Sequence, residues 1–253
     1  MKKTILLLLL FSIYLSHGKA QTQAIAHRGF WKTEGSAQNT LAALQKAHEI
    51  GIYGSEFDVW LTADGVPVVN HDDSIPGFNV QKSTLAQLRT VTLANGEKIP
   101  TLEEYLKLGK KLPQTQLVLE IKSHRRLFDE DRLVRKVVDM VKLFDLEERV
   151  DYIAFSMNVC KELKHLCPQA TVVYLNGDLS PQELKEAGFS GLDYRFNVLQ
   201  KNPGWIKEAK ELGLTTNVWT VNTEEMMSFF INEGVDFITT DNPALLKSLL
   251  EKK

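Results

Sequence analysis

The chain has 253 residues, with 30 basic and 32 acidic side chains and a formal net charge of −2. That balance excludes the basic footprint of a protein that grips a nucleic-acid backbone, and two cysteines exclude a fold stapled by disulfides. The length suffices for one sizeable hydrophobic core, so residues 21–253 are expected to form a single domain.

Met1–Ala20 opens on Lys2 and Lys3, continues as an apolar run from Ile5 to Leu15, and ends in Gly18-Lys19-Ala20. This is the pattern of a cleavable secretory signal, so an exported protein, periplasmic or secreted, is expected. The apolar run falls short of the roughly 18 residues that span a bilayer, so no stable membrane insertion is expected. The leader carries three lysines and no acid, which puts residues 21–253 at −5. A phosphate-bearing partner is then a small molecule met in a local pocket, not a polyanion met by a whole face.

From Ala24 onward, short β-branched runs alternate with longer amphipathic segments, the rhythm of repeated βα units. Eight strands are predicted: Ala24–His27, Tyr53–Val59, Leu117–Ile121, Val150–Phe155, Thr171–Leu175, Gly191–Tyr194, Thr215–Trp219 and Phe237–Thr239. Eight such strands with helices between them predict an α/β fold, the TIM (β/α)8 barrel. Gly65 to Pro100 breaks the rhythm with a short strand at Pro67–Asn70, a polar turn at Asp72–Gly77 and a short helix at Thr84–Arg89, and reads as an elaboration after strand 2. Helix starts are marked by capping-box spacing at Thr101/Glu104 and Asn222/Glu225, and by Pro at the first helical position after Ser180 and Asn242. Cys160 and Cys167 lie seven apart on a helix and its end, about 10 Å by helical rise, too far for a disulfide.

Against this frame, the chemistry is concentrated early. His27-Arg28, Glu56-Phe57-Asp58 and His71-Asp72 place two imidazoles, a guanidinium and paired carboxylates within 46 residues. An Arg offers a planar donor fork for phosphate oxygens, His moves protons near neutral pH, and carboxylates hold a hard cation. Residues two apart in a strand face the same side, so Glu56 pairs with Asp58 and Glu120 with Lys122. Both pairs end strands whose C-termini converge on the catalytic face of a barrel. Three acids in apolar strands are costly to bury unless a cation pairs with them, which points to one divalent metal ion; oxygen-only donors favour Ca2+ or Mg2+ over zinc. Lys122 is then expected to neutralise phosphate beside the metal; the plainer alternative is a salt-bridge cluster of the acids with Lys122. His27 and His71 are general acid and base candidates, and Arg28 beside Gly29 is a phosphate clamp. Asn39 either bonds the phosphate or a metal ligand, or caps the helix from Thr40. His48, His165 and the Met226–Phe230 run have no motif around them and read as structural.

Several blocks carry a resemblance: Ala26-His27-Arg28-Gly29, Gln38-Asn39-Thr40, Gly54 to Val59, Thr62-Ala63-Asp64-Gly65, Val68 to Asp72, Leu119 to Lys122 and Val218 to Asn222. In order and spacing they resemble the glycerophosphodiester phosphodiesterases, from about Ile25 to Asp241-Asn242-Pro243. The resemblance implies metal-dependent hydrolysis of a small-molecule glycerophosphodiester to sn-glycerol 3-phosphate and an alcohol, by His general acid and base catalysis. It also implies that Trp219 walls the glycerol or alcohol part. Asp193, Arg195, Phe196 and His124 are candidates to shape the alcohol pocket. One departure stands out: Ala37-Gln38 occupies the place of the family's Pro-Glu and replaces a carboxylate with an amide. Two other readings remain: a lipid-acting relative on the same barrel, for which no apolar rim is evident, and a binding-only barrel.

Overall fold

A computed structural model describes residues 21–252, so the leader read in Met1–Ala20 lies outside the described residues. The first half of the chain forms β1 (Gln23–Ala26), α1 (Leu41–Glu49), β2 (Gly54–Leu61), β3 (Pro67–Val69), β4 (Ser74–Ile75), β5 (Phe78–Asn79), α2 (Leu85–Leu88), α3 (Leu102–Lys110) and β6 (Gln116–Ile121). Then come α4 (Leu127–Leu143), β7 (Val150–Ala154), α5 (Met157–Leu166), β8 (Val172–Tyr174), α6 (Pro181–Glu186) and β9 (Gly191–Arg195). The last part adds α7 (Phe196–Lys201), α8 (Trp205–Glu211), β10 (Thr215–Trp219), α9 (Glu224–Glu233), β11 (Phe237–Thr240) and α10 (Pro243–Glu251).

β1, β2 and β6 to β11 pair in parallel, and β1 closes the ring by pairing with both β2 and β11. The result is the expected (β/α)8 barrel. Its strands read as nearly continuous apolar runs because both faces are covered. Inward-facing Ile25, Val118, Ile153 and Val173 fill the barrel, while outward-facing Phe57, Leu117, Leu119 and Ile121 pack under the helices. Helix α4 shows how a helix supplies its half. Leu133, Val134, Val137, Val138 and Val141 recur at helical spacing and are all buried, each worth roughly 1.5–3 kcal/mol on full burial.

The elaboration after β2 has its own small core. β3 runs antiparallel to β2, and Trp60, Val68, Ile75, Val80, Leu88 and Ile99 cluster beneath it. The stretch expected as a polar turn, Asp72–Gly77, contains β4, which pairs with β5 because Ile75 buries in that cluster.

Capping boxes form at Thr101/Glu104, Ser180/Glu183 and Thr84/Gln87. The expected Asn222/Glu225 box does not form. Thr223 caps α9 instead, accepting from the Met226 amide, because the Asn222 side chain is engaged by Asp241 and its neighbours. Cys160 and Cys167 are free thiols. Among the described residues no helix is long and apolar enough to cross a membrane.

Candidate active site

Strand register assembles the acids. Asp58 on β2 lies directly opposite Glu120 on β6, and Glu56 sits two residues earlier on the same face. All three are buried, and one oxygen from each lies within 4.8 Å of the others. Lys122 bridges two of them, its Nζ standing 3.0 Å from Asp58 Oδ1 and 2.7 Å from Glu120 Oε1. The salt-bridge alternative therefore describes part of the cluster. A single ammonium does not balance three carboxylates. Burial, then the charges of Asp58 and Glu120, pushes Glu56 well above the ordinary carboxylate range. Burial, then Asp58, raises Glu120 to about 7. Burial acts the same way on Asp58 but is outweighed, chiefly by Lys122 and His71, and its carboxyl stays below the usual value. Three hard oxygen donors that repel one another are a fitting set for a hard divalent cation.

The loop after β1 is shaped around this cluster. β1 ends at Ala26, one residue before the predicted boundary, and Arg28 and Gly29 turn at φ 57° and 77°. That turn aims the Arg28 amide at Glu56 Oε2, 2.7 Å away. Asn39 also has φ of 58° and directs both amide atoms at Asp58: Nδ2 donates to Oδ2 at 2.8 Å, and Oδ1 accepts from the backbone amide at 3.1 Å. The cap of α1 is Thr40, whose hydroxyl accepts from Ala43, so Asn39 is no cap. Its geometry suits orienting an acid more than touching substrate.

Each imidazole is tied through Nδ1. His27 Nδ1 stands 2.7 Å from Asp241 Oδ1, and His71 Nδ1 stands 2.7 Å from Asp72 Oδ1. Asp241 also accepts from Asn222 Nδ2 at 2.9 Å and Trp31 Nε1 at 3.3 Å. Although burial raises it, bonding to His27 dominates the opposing effects and holds its carboxyl well below the usual range. Burial lowers His71, with Asp58 pulling partly the other way. Both histidines, Arg28, Glu56, Glu120, Lys122 and Trp219 line one cavity. Arg28 Nη1 donates to Gln38 Oε1 at 2.7 Å, so a neutral amide, not a carboxylate, receives that guanidinium.

Trp219 stands at the wall, edge-to-face with Phe155 at 5.6 Å, and its Nε1 donates to the Asp193 carbonyl at 3.0 Å. Of the four candidates for the alcohol pocket, only Asp193 lines the cavity. His124 is held by Leu61 and the Lys122 carbonyl and packs on Trp60, while Arg195 lies over Phe196. Asp241, Asn222 and Asp72 stand in motifs of the sequence but were assigned no role in the site, and the structure brings all three into it. The signal for Asp241 was its place at the C-terminal end of the last barrel strand, where side chains face the mouth.

Residues 27–245 match the Glycerophosphoryl diester phosphodiesterase family. The chain belongs to that family. It is 32% identical over 250 residues to a glycerophosphodiester phosphodiesterase of Caldanaerobacter subterraneus subsp. tengcongensis, covering 92% of this chain and 99% of the relative. It superposes with a TM-score of 0.91 and 54% identity on the crystal structure of a glycerophosphodiester phosphodiesterase from Parabacteroides distasonis, covering 93% and 99% of the two chains. An Oleispira antarctica phosphodiesterase solved in complex with the product sn-glycerol-3-phosphate superposes with a TM-score of 0.79 at 26% identity, over 91% and 97%. The chain is thus an enzyme of phosphodiester hydrolysis, and its buried acid triad could hold a metal ion.

Proposed function

We propose that this enzyme is exported and cleaves glycerophosphodiesters to sn-glycerol 3-phosphate and an alcohol, with His27 and His71 moving the protons. The observation that carries this reading is the pair of imidazoles, each fixed to a carboxylate through Nδ1, facing one cavity with Arg28 and Lys122. A carboxylate on Nδ1 fixes the tautomer and leaves Nε2 for the reaction. One Nε2 takes the proton of the attacking hydroxyl, that of water or the 2-hydroxyl of the glycerol arm, as its oxygen bonds to phosphorus; in the second case water then opens the cyclic phosphate to glycerol 3-phosphate. The other delivers a proton to the alcohol oxygen as the opposite phosphorus–oxygen bond breaks. Arg28 and Lys122 spread the charge that gathers on the phosphate oxygens. A divalent cation, Ca2+ or Mg2+, held by Glu56, Asp58 and Glu120 would act as a Lewis acid on oxygen. Asn39 and the Arg28 amide keep the acids oriented. The leader of Met1–Ala20 supports export.

Replacing His27 or His71 with Ala is expected to lower kcat by about 10²–10⁴-fold, with circular dichroism unchanged. Near-normal turnover in both variants would overturn the assignment. A lipid-acting reading draws on Leu127 and Phe128, 62% and 68% exposed at the start of α4 just beyond β6. Comparing release of glycerol 3-phosphate from glycerophosphocholine with release of acyl-bearing phosphate from lysophosphatidylcholine separates the two.

A further inference from the structure

The cavity floor carries a carboxyl that none of these steps uses. Asp193 sits mid-strand on β9, is 2% exposed, and lines both the active-site cavity and a second cavity lower in the barrel. Among the described residues its Oδ1 has no hydrogen-bond partner. Asn217 Nδ2 donates to Thr239 Oγ1 at 2.9 Å and the Asn217 side chain also bonds the Asp193 carboxyl, which leaves Oδ1 as the oxygen without a partner. Barrel interiors are normally layers of branched apolar side chains, as Ile25, Val118, Ile153 and Val173 are here. An unpaired carboxyl oxygen among them is costly unless a ligand completes it.

The direction of the cavity says which part of a ligand arrives there. Arg28 and the two histidines lie beyond the ends of β1 and β3, at the mouth, whereas Asp193 is on the floor under Trp219. A phosphodiester held at the mouth sends one ester arm inward and the other toward solvent. The variable alcohol takes the open direction, which leaves the glycerol arm for the floor. Burial, then the charge of Glu120, raises Asp193 to about 8. Protonated, such a carboxyl gives one hydrogen bond and accepts others, a match for a hydroxyl and a poor one for an ammonium.

We infer that Asp193 binds a hydroxyl of the glycerol arm, making the barrel floor the element that selects a polyol over a plain alkyl chain. The substrate class rests on the phosphodiesterase reading, so the test measures binding and scores turnover separately. With calcium present, sn-glycerol 3-phosphate, propyl phosphate and phosphocholine are titrated calorimetrically into wild type, Asp193→Leu and Asp193→Asn. Asp193→Leu restores the apolar layer and is expected to melt no lower than wild type. It should bind glycerol 3-phosphate about tenfold or more weakly, with propyl phosphate and phosphocholine changed by less than about twofold. Asp193→Asn, which still donates and accepts, should stay within about threefold of wild type for all three. Unchanged glycerol 3-phosphate binding in Asp193→Leu overturns the inference. So does a selective loss of phosphocholine, an equal loss of all three ligands, or a large fall in melting temperature. Absence of glycerophosphocholine turnover by wild type would count against the phosphodiesterase reading alone, because the binding preference is read independently.

Discussion

His27 and Asp241 lie 214 residues apart in the chain, yet their side chains meet at 2.7 Å because β1 and β11 are neighbours in the closed barrel. Their pairing decides which nitrogen of His27 faces the substrate. Asp241→Asn keeps the shape but removes the charge that stabilises an imidazolium, so kcat should fall by about 10²-fold while substrate KM changes little. Equal kcat in the variant would show that His27 is oriented by something else. Gln38 presents a subtler case. Gln38→Glu would set an anion on Arg28 at an exposed contact, worth about 1 kcal/mol at most, and should raise KM by no more than about fivefold without lowering kcat. A large fall in kcat would place Gln38 in the chemistry. Glu56 and Asp58 were legible because strand alternation alone puts them on one face of β2, and Arg28 because it stands between His27 and Gly29 in one local motif. Asp241, Asn222 and the role of Asp193 were not, since their meaning comes from partners that only ring closure supplies.

At the scale of elements, the loop from β1 to α1 works only because of Gly29. A Cβ there would lie 2.6 Å from Ala43 Cβ and 2.8 Å from the Ala43 carbonyl carbon, at a φ of 77°. Neither the backbone nor α1 can yield easily, so Gly29→Ala should cost about 2 kcal/mol or more by urea denaturation and move Arg28 off the acids. Unaltered stability would mean that the loop is looser than this contact implies. The Thr101 cap offers a contrast, because it stabilises α3 far from the cavity. Thr101→Ala should cost about 1 kcal/mol and leave kcat/KM unchanged. The barrel strands were readable to within a residue or two because buried parallel strands are continuous apolar runs. β4 and β5 were not, since two-residue strands are too short for a period, and their pairing depends on the satellite core under β3. The Asn222 box failed for a related reason: its spacing is local, but Asn222 is claimed by a residue 19 positions away.

For the whole molecule, the buried acids link folding, pH and cation. Glu120, raised to about 7, and Asp193, raised to about 8, hold protons in the folded state that the unfolded chain has already released. Glu56 is displaced in the same direction. Through these groups the folded form binds more protons between roughly pH 6.5 and 8, so stability in chelator should fall as pH rises through that window. Asp58 and Asp241 are shifted downward and act oppositely in acid, and His71 and His124, lowered by burial, act oppositely up to about pH 6.5, the ordinary value of an imidazole. Restoring calcium or magnesium should raise the melting temperature more at pH 8 than at pH 5, because the cation replaces those protons. A melting temperature in chelator that rises across the window would contradict this.

The most direct measurement is release of sn-glycerol 3-phosphate from glycerophosphocholine and glycerophosphoethanolamine by residues 21–253. It is made in chelator and again with calcium or magnesium restored, beside Glu56→Ala. The account predicts release only when the cation is present and its loss in Glu56→Ala. Release undiminished by chelation and by Glu56→Ala, or none with either cation, would contradict it.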